Sequence, residues 1–408
     1  MSFDKKKLPK LDWEFVASMR KDGVKVYLLP AQFFLRHVLC WPDDELPFGK
    51  VLGWSLFWMM FLTEIFHATY MVIHIKDISD AVSTSATVTT TLEASVRLYI
   101  MLKYRGVINA ILVKVWKQFW PINCVNEDLR KRLRRKVLIS VILTTIFFAS
   151  SVPCNVIITT VPFLGHHQLV LRSSFPFNWN RSFIYEALYV FQYFIDWYVL
   201  FTVNAFDFFF VSLLTICATQ YSILQDVIER ILSEHSNGQR KKIFGESGQR
   251  ITDRKMLYLC LEQHKLLNSV CSEMESSFNM AILIQFIVSI CANCGPFLIM
   301  KIDYSQFSKM LLFACCHLTQ LFYYCYVGQE ISYQSEQTAS AIYACDWHLS
   351  YDREFRKSLL LMLQRSQKTQ YMTAAGLIPL DYASFVRILR LTFSFYTLLD
   401  KFLEKENE

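Results

Sequence analysis

Three long stretches of the chain carry no charged residue. They run from 137 to 161, from 276 to 300 and from 310 to 329, over 25, 25 and 20 residues. About 20 consecutive apolar residues in an α-helix span the hydrocarbon core of a bilayer. A buried helix of a soluble protein rarely stays uncharged over this length, so the pattern predicts three transmembrane helices.

Four further segments are apolar but contain scattered polar residues. They cover 51–75, which contains Glu64, then 78–102, which is rich in Ser and Thr, then 183–216 and 382–402. Hydrophobic residues make up 53% of the chain, aromatic residues 15%, and the mean hydropathy is +0.26. Together the segments predict an all-α integral membrane protein with seven transmembrane helices.

The basic residues predict the orientation of these helices. Seven spans place the two termini on opposite sides of the membrane. The segments on the side of the N-terminus carry 32 Lys and Arg, whereas those on the other side carry 7. Because cytosolic loops are enriched in Lys and Arg, we expect a cytosolic N-terminus and an extracellular C-terminus. This topology is the reverse of that of G-protein-coupled receptors.

The predicted outer loop contains a candidate glycosylation site. Asn180 belongs to the only N-x-S/T sequon of the chain, and it falls in the long loop 162–182 between the third and fourth spans. A sequon of this kind marks a surface loop on the extracytoplasmic side. Its position therefore agrees with the predicted orientation.

Several segments are too polar or too short to span a bilayer. The stretch 26–41 is apolar but contains Pro30 and Arg36, which favours an interfacial or re-entrant helix. No cleavable signal peptide is expected before it. The polar stretch 233–250 predicts a mobile loop. Residues 352–370 predict one more amphipathic helix, after which Gly376 and Pro379 break the chain and Asp381 caps the last helix.

Two apolar stripes lie on the predicted cytosolic side, at 224–231 and 257–271. Both repeat every three to four residues, which indicates helices that continue below the fourth and fifth spans. Such stripes need a partner surface. At this point they fit either packing within one subunit or contact between subunits.

The last predicted helix carries a polar stripe. At 100° per residue, five of its polar side chains fall within an arc of about 80°; they are Arg387, Arg390, Ser394, Thr397 and Lys401. Polar side chains at membrane depth face a bundle interior or water. The stripe fits a water-lined axis shared by several chains. Alternatively, the charged residues extend to the two interfaces while Ser394 and Thr397 bond to their own helix.

No enzyme motif competes with a membrane role. The chain has no P-loop, no G-x-G-x-x-G and no HExxH. His166 and His167 have no further ligand nearby, and Cys291 and Cys294 fit small buried residues. We therefore expect no enzymatic activity, no cofactor and no metal. The net charge of +7 is spread over membrane-flanking loops, which argues against nucleic-acid binding.

An ordered set of short motifs follows the sixth predicted span. It consists of Gln334-Ser335-Glu336, Ala341-Ile342-Tyr343 with Trp347, Phe355-Arg356-Lys357-Ser358-Leu359, Gln364-Arg365-Ser366-Gln367-Lys368, Ala374-Ala375-Gly376 with Pro379-Leu380, and Ser394-Phe395-Tyr396-Thr397-Leu398-Leu399. Their order and spacing resemble the insect odorant receptor family, which also shares the length and the inverted topology. The closing motif of the related gustatory receptors is absent.

The resemblance implies an odorant-tuning subunit of a ligand-gated, non-selective cation channel. Such a subunit assembles with a shared co-receptor as a heterotetramer in the plasma membrane of sensory-neuron dendrites. The whole chain, 1–408, is then one unit, with helices 1–4 in 48–220 and helices 5 and 6 in 278–332. The segments 221–278 and 333–370 form a cytosolic anchor between subunits, to which the two apolar stripes are assigned. A G-protein-coupled type of receptor and a small-molecule transporter remain the alternatives.

The resemblance also implies two functional sites. Helix 7, at 381–402, lines a central pore for cations, with Ser394, Thr397 and Lys401 facing it. A small volatile odorant binds among the outer halves of the second, third, fourth and sixth spans, and aromatic residues there would suit an aromatic odorant. The lining residues expected from this comparison are Thr87, Thr90, Ser151, Asn155, Phe194, Tyr198 and Cys316. Plain helix packing is the alternative role of each.

Overall fold

The computed structural model describes residues 25–42, 48–76, 78–165, 168–302 and 307–406. These ranges are almost entirely helical. The α-helices are α1 (Leu29–His37), α2 (Gly49–Ile73), α3 (Ile78–Lys103), α4 (Arg105–Gln118), α5 (Glu127–Gly165), α6 (Ser182–Glu229), α7 (Ser236–Phe244), α8 (Asp253–Ile302), α9 (Phe307–Ala344), α10 (Arg353–Ser366) and α11 (Tyr382–Glu406). Two short strands, β1 (Thr373–Ala374) and β2 (Ile378–Pro379), form an antiparallel hairpin between α10 and α11.

Among the described residues, five helices are long and apolar enough to cross a membrane, and they are α2, α5, α6, α8 and α9. The other two predicted spans are the helices α3 and α11, of 26 and 25 residues. At 1.5 Å per residue both exceed the 30 Å hydrocarbon core in length. Their Ser, Thr and charged residues lower their hydropathy, so the count of seven spans remains a prediction.

The helix α6 forms the centre of the bundle. Of its most apolar window, 94% is buried inside the protein, against 28% for α2 and α5. Phe206, Phe209 and Phe210 on α6 are completely buried. A helix that is apolar on all sides packs best when other helices surround it, and α1, α3, α5, α8 and α9 all contact α6. The outward faces of α2 and α5 remain apolar, as expected for helices in contact with lipid.

The short helix α1 packs against the middle of α6. The ring of Phe34 stacks on that of Phe208, with centroids 5.1 Å apart. The Ser212 hydroxyl donates a hydrogen bond to the carbonyl of Tyr27, at 3.0 Å. The apolar segment 26–41 therefore contains a short helix that packs against the bundle, and whether it is interfacial or re-entrant remains a prediction.

Two helices are far longer than a bilayer requires. With 48 and 50 residues, α6 and α8 reach about 70 Å at 1.5 Å per residue, roughly twice the hydrocarbon thickness. The sequence predicted such extensions from the apolar periodicity at 224–231 and 257–271. The structure shows uninterrupted helix through 257–271, and through 224–231 as far as Glu229, where α6 ends.

The two stripes on these extensions are buried within the chain itself. Leu224, Ile228 and Leu267 are fully buried, and Leu257 and Cys271 are 1% exposed. Side chains already enclosed in one subunit cannot contact another, so the expectation that the stripes form the assembly interface is wrong. The alternative, packing between α6 and α8 of the same chain, is the one realised.

The expectation of a mobile loop at 233–250 is also wrong. This stretch forms α7 and a 3₁₀ helix at Gly245–Arg250. Tertiary hydrogen bonds hold it: Arg240 bonds the carbonyls of Ile231 and Ile251, and pairs with Asp253. A Cβ at position 248 would lie 2.2 Å from the carbonyl oxygen of Arg240, so this close approach requires the glycine there.

The caps and breaks near the C-terminus follow the sequence closely. Asp352 accepts hydrogen bonds from the first backbone amides of α10, which ends at Ser366 rather than at 370. Asp381 accepts from the backbone amide of Ser384 at 2.7 Å and so caps α11, as expected. The hairpin turns at Ala375 and Gly376, whose φ angles are 51° and 76°.

The cysteine prediction holds only in part. Cys294 is buried on α8, but Cys291 is exposed. Positions three apart on a helix lie about 60° apart around the axis, so Cys291 can lie at the edge of the face on which Cys294 is buried. Cys291 points away from the bundle, and it is not the buried residue that the sequence suggested. His166 and His167 lie outside the described residues.

Candidate functional site

A cavity of about 70 Å³ lies among α3, α5, α6 and α9. All four helices contribute polar residues to the wall of the cavity, and α5, α6 and α9 contribute apolar residues as well. The lining residues are Thr87, Thr90, Thr91, Glu93, Phe147, Ser151, Cys154, Asn155, Ile158, Asp196, Val199, Leu200, Val203, Phe313, Cys316, His317 and Gln320. The family resemblance of the sequence predicts a ligand site among these same four spans.

The structure brings five of the seven expected lining residues together in this cavity. They are Thr87, Thr90, Ser151, Asn155 and Cys316. Phe194 does not line it; its side chain is 67% exposed on the outside of α6. Tyr198 does not line it either, since its hydroxyl points to α1 and donates to the carbonyl of Val38 at 3.1 Å. Contact of the five with a ligand remains a prediction.

Three of the hydroxyl groups in the cavity already donate a hydrogen bond to their own helix. Thr87 donates to the carbonyl of Thr84, Thr90 to that of Ala86 and Ser151 to that of Phe148, at 2.9 to 3.0 Å. Such bonds within a helix are the usual solution for Ser and Thr at membrane depth. These hydroxyl groups can therefore accept from a ligand more readily than they can donate to one.

A buried ionic cluster adjoins the cavity. Arg97 on α3 pairs with Glu93, one turn before it, at 2.6 Å, and with Asp207 on α6 at 2.8 Å. All three side chains are about 1% exposed or less. Two carboxylates around one guanidinium satisfy a charge that would otherwise be very costly inside a membrane protein.

Hydrogen bonds from α9 complete this cluster. The hydroxyls of Tyr323 and Tyr324 donate to Asp207 at 2.5 and 2.6 Å. The amide of Gln320 donates to both Glu93 and Asp207, each at 3.0 Å. Because Glu93 and Gln320 also line the cavity, the cluster links the cavity wall to α3, α6 and α9.

A second set of polar contacts connects α2 to the cavity wall. The Glu64 carboxylate accepts a hydrogen bond from the hydroxyl of Thr91. The Nδ1–H of His67 donates to the carbonyl of Arg172 at 2.6 Å, and Nε2 lies 2.8 Å from the hydroxyl of Thr87, whose one proton can go either to this nitrogen or to the carbonyl of Thr84. These contacts hold α2, α3 and the segment after α5 in a fixed relation.

The sequence analysis did not select the most polar residues of the cavity as lining residues. Glu93, Asp196, His317 and Gln320 all line it. A signal was present, because ionisable residues inside predicted spans are functional candidates by default. Their convergence on one point could not be seen without the packing of α3, α6 and α9.

The polar stripe of α11 lies on the outside of the single chain. Its members are all exposed; they are Arg387, Arg390, Ser394, Thr397 and Lys401. The opposite face is buried, through Ser384, Ile388 and Thr392. Phe297 of α8 stacks on Phe393 with centroids 6.1 Å apart. The stripe is therefore not packed within its own helix bundle.

Contacts near the C-terminal end of α11 are partly ionic. Lys301 at the end of α8 pairs with Asp400 at 2.6 Å. The hydroxyl of Thr397 donates to the carbonyl of Ser394 at 2.9 Å. Such a bond was expected under the reading without a pore, but it leaves the oxygen of Thr397 on the exposed face.

An exposed apolar surface lies at the C-terminal end of α9, next to α10. We call it the α9–α10 patch and define it by Tyr343, Trp347, Leu360 and Leu361. Tyr343 is 71% exposed and Leu361 63%. The groove beside it is lined by Ile342, Leu359 and Leu363 as well. Exposed apolar surface of this kind is typical of a contact with another protein or with a membrane.

Comparison with known proteins gives one consistent result. A family model described as "7tm Odorant receptor" matches residues 74–393. Odorant receptor 22c of Drosophila melanogaster is 28% identical over 208 residues, which cover 50% of each chain. Odorant receptor 82a of the same fly is 27% identical over 238 residues, 57% of each. The chain thus spans about half the length of the curated relatives it matches.

Solved structures show the same fold over almost the whole chain. One is the insect olfactory receptor OR5 from Machilis hrabei in complex with eugenol, with a TM-score of 0.78 and 13% identity. The match covers 93% of this chain and 98% of that one. A second structure of that receptor gives a TM-score of 0.74 at 12% identity. At such identity the similarity concerns the fold alone.

Proposed function

The chain belongs to the insect odorant receptor family of multi-pass membrane proteins, and from this we propose that it is an odorant-binding subunit of a ligand-gated cation channel. In this proposal a small volatile enters the cavity among α3, α5, α6 and α9. Binding favours the open state of a pore to the extent that the volatile binds that state more tightly. Cations then pass through a non-selective pore.

The exposed polar stripe of α11 is the observation that supports a channel most directly. A line of charged and hydroxyl side chains along a membrane helix is costly against lipid. In the single chain these side chains face outward, so they need either water or other subunits. An axis shared by several copies supplies both, with Ser394, Thr397 and Lys401 facing the pore.

The positive charges on the stripe favour a mixed assembly. Arg387, Arg390 and Lys401 would repel cations if all four subunits of a tetramer were identical. We propose that co-receptor subunits dilute this charge in a heterotetramer. The α9–α10 patch, rather than the two buried stripes, would then provide the cytosolic contact between subunits.

The proposed orientation places the N-terminus in the cytosol and the C-terminus outside, with seven spans. Asn180 is exposed in the segment between α5 and α6, as glycosylation in an outer loop requires. The basic run at 130–136 then faces the cytosol at the start of α5. The proposed location is the plasma membrane of a sensory-neuron dendrite.

Whole-cell recording tests the proposed function. Cells expressing the chain with a co-receptor should give a cation current within milliseconds of odorant application. The current should persist when G-protein signalling is blocked, and it should fall strongly or vanish without the co-receptor. A response that depends wholly on G proteins would rule out the channel, and substrate uptake without a current would indicate a transporter.

A further inference from the structure

Four buried side chains in the cavity each keep a polar atom without a hydrogen-bond partner among the described residues. The atoms are Oε2 of Glu93, Nδ2 of Asn155, Oδ2 of Asp196 and Nδ1 of His317. All four side chains are at least nine-tenths buried. Buried polar atoms normally have a partner, so a group of four around one cavity points to a polar ligand.

Asp196 differs from the other acidic residues of the bundle. Glu64 is bonded by Thr91, and Glu93 and Asp207 both pair with Arg97. In the part of the chain that the structure describes, no group forms a hydrogen bond or ion pair with Asp196, which is 6% exposed. Whether ionised or protonated, its carboxyl keeps an oxygen lone pair that can accept a hydrogen bond.

The unpartnered atoms restrict the chemistry of the ligand. An ether or ketone oxygen only accepts: it cannot pair with an ionised Asp196, and with a protonated Asp196 it still leaves the accepting oxygen of the carboxyl without a donor. An ammonium group only donates, so it would leave the amide nitrogen of Asn155 unpaired. A hydroxyl group donates one hydrogen bond and accepts others, and it therefore fits both. The hydroxyl groups of Thr87, Thr90 and Ser151 cannot take the donor role, since each already donates to its own helix.

Building on the proposed function, we propose that the cavity selects a compact alcohol. Its hydroxyl group donates to the carboxyl of Asp196 and accepts from the amide of Asn155. The cavity volume of about 70 Å³, below the roughly 150 Å³ of a protein cavity that takes benzene, limits the size of the ligand. Phe194 and Tyr198 do not line the cavity, but Phe147 and Phe313 do, so the polar atoms and not the apolar lining determine the selection.

A ligand series of matched size tests the hydroxyl directly. The probes are 1-butanol, its isomer methyl propyl ether, butylamine and pentane. Two measurements are made on each: the current from cells expressing the chain with its co-receptor, and the thermal stabilisation of the purified full-length chain in detergent. We expect 1-butanol to act at concentrations at least tenfold below those of the ether and the hydrocarbon.

Variants then assign the hydroxyl contacts. Asp196→Leu and Asn155→Leu keep a similar side-chain size and remove the hydrogen-bonding groups. Each should raise the effective concentration of 1-butanol at least tenfold. Asp196→Leu should leave that of the ether within twofold, whereas Asn155→Leu should raise it too, because the ether oxygen can accept from the same amide. The matched control is Phe194→Leu on the same helix as Asp196, which should change neither. If a variant fails to reach the membrane, the ligand series on the unchanged protein still decides.

The outcomes separate this inference from the proposed function. Equal potency of alcohol and ether, or greater potency of butylamine than of 1-butanol, would overturn the hydroxyl proposal even if currents are recorded. Stabilisation of the purified chain by 1-butanol in preference to the ether, without any current, would support the hydroxyl proposal and contradict the channel function.

Discussion

At the scale of single residues, Arg97 shows what permits a charge in the middle of this bundle. It is 1% exposed, yet it pairs with Glu93 and Asp207 and lies over the ring of Phe206, 5.2 Å from its centroid. An arginine can serve several partners at once because its planar guanidinium carries five donors. Its presence in a predicted span was visible in the sequence, but its partners on α6 and α9 were not.

Replacement of Arg97 should destabilise the protein strongly. Arg97→Leu leaves Glu93 and Asp207 buried without a counter-charge, which costs about 3–5 kcal/mol. Surface expression and the apparent Tm of the purified protein should both fall. Arg254→Leu, at an exposed position of α8, is the control and should have little effect. Combining Arg97→Leu with Glu93→Gln and Asp207→Asn should restore part of the loss; no difference from the control would contradict the role of the cluster.

His264 in the N-terminal half of α8 should make stability depend on acid pH. Burial, with a smaller contribution from the charge of Arg365, lowers the pKa of His264 from 6.5 to about 4. The unfolded chain therefore binds a proton at higher pH than the folded protein does. The stability from the neutral ring is fully present above about pH 6.5 and is lost as the pH falls towards 4, by roughly 1.4 kcal/mol per unit.

The measurement is the apparent Tm of the purified protein between pH 7.5 and 4.5. His264→Gln should reduce the slope of Tm against pH in that range. Gln keeps a polar group that can bond Asn268, which contacts the His264 ring at 3.2 Å. His348→Gln, at an exposed histidine, should leave the slope unchanged. The same slope in His264→Gln as in the unchanged protein would show that other groups control the acid response.

At the scale of elements, α11 has two different faces on one helix. Ser384, Ile388 and Thr392 repeat every four residues and are buried, whereas the stripe with Ser394 and Thr397 is exposed. The helical wheel already separated these faces in the sequence. Only the packing shows which of them faces the rest of the chain, because polar and apolar residues both occur on the buried side.

Two threonines of α11 provide a matched test of the pore. Thr397 is exposed and Thr392 is buried, where it donates to the carbonyl of Ile388 at 3.0 Å. Thr397→Val should change the relative permeability to Na⁺, K⁺ and Ca²⁺ and leave the ranking of odorants intact, because an oxygen that contacts the ions is lost. Thr392→Val should leave permeability unchanged. Reversal potentials in ion-substituted solutions measure both, and equal effects of the two would argue against a pore along this face.

A charge substitution on the same face of α11 tests the proposed pore in a second way. Lys401→Gln removes a positive charge from the proposed cation path, so single-channel conductance should increase, most of all at low ionic strength, where screening is weak. A conductance that does not change would place Lys401 away from the ion path.

At the scale of the whole molecule, the α9–α10 patch is an apolar surface that the described part of the chain leaves open. Tyr343→Asp together with Leu360→Asp should reduce recovery of the co-receptor in co-purification at least tenfold, because the charges would be buried on assembly. Ser233→Asp is a control outside the patch. Unchanged recovery with the double variant would exclude the patch as the subunit contact.

The orientation of the chain is testable independently of any current. A tag after Glu408 should be labelled by antibody on intact cells, whereas a tag at the N-terminus should require permeabilised cells. The physical reason is the excess of Lys and Arg on the N-terminal side of the membrane. Labelling of the N-terminal tag alone on intact cells would reverse the topology.

The sequence by itself determined what depends on local order and on solvent. Long uncharged stretches must avoid water, so helices α5, α8 and α9 could be placed from the sequence, and Asp381 marked the start of α11 because capping is a local interaction. Contacts between distant residues were decided by the tertiary structure. They turned the predicted loop at 233–250 into α7 through Arg240, enclosed the stripes of α6 and α8 within one subunit, and brought Asp196 and Asn155 to one cavity. A side chain's spacing along a helix shows which residues share its face, but only the packing of the other helices shows what that face contacts.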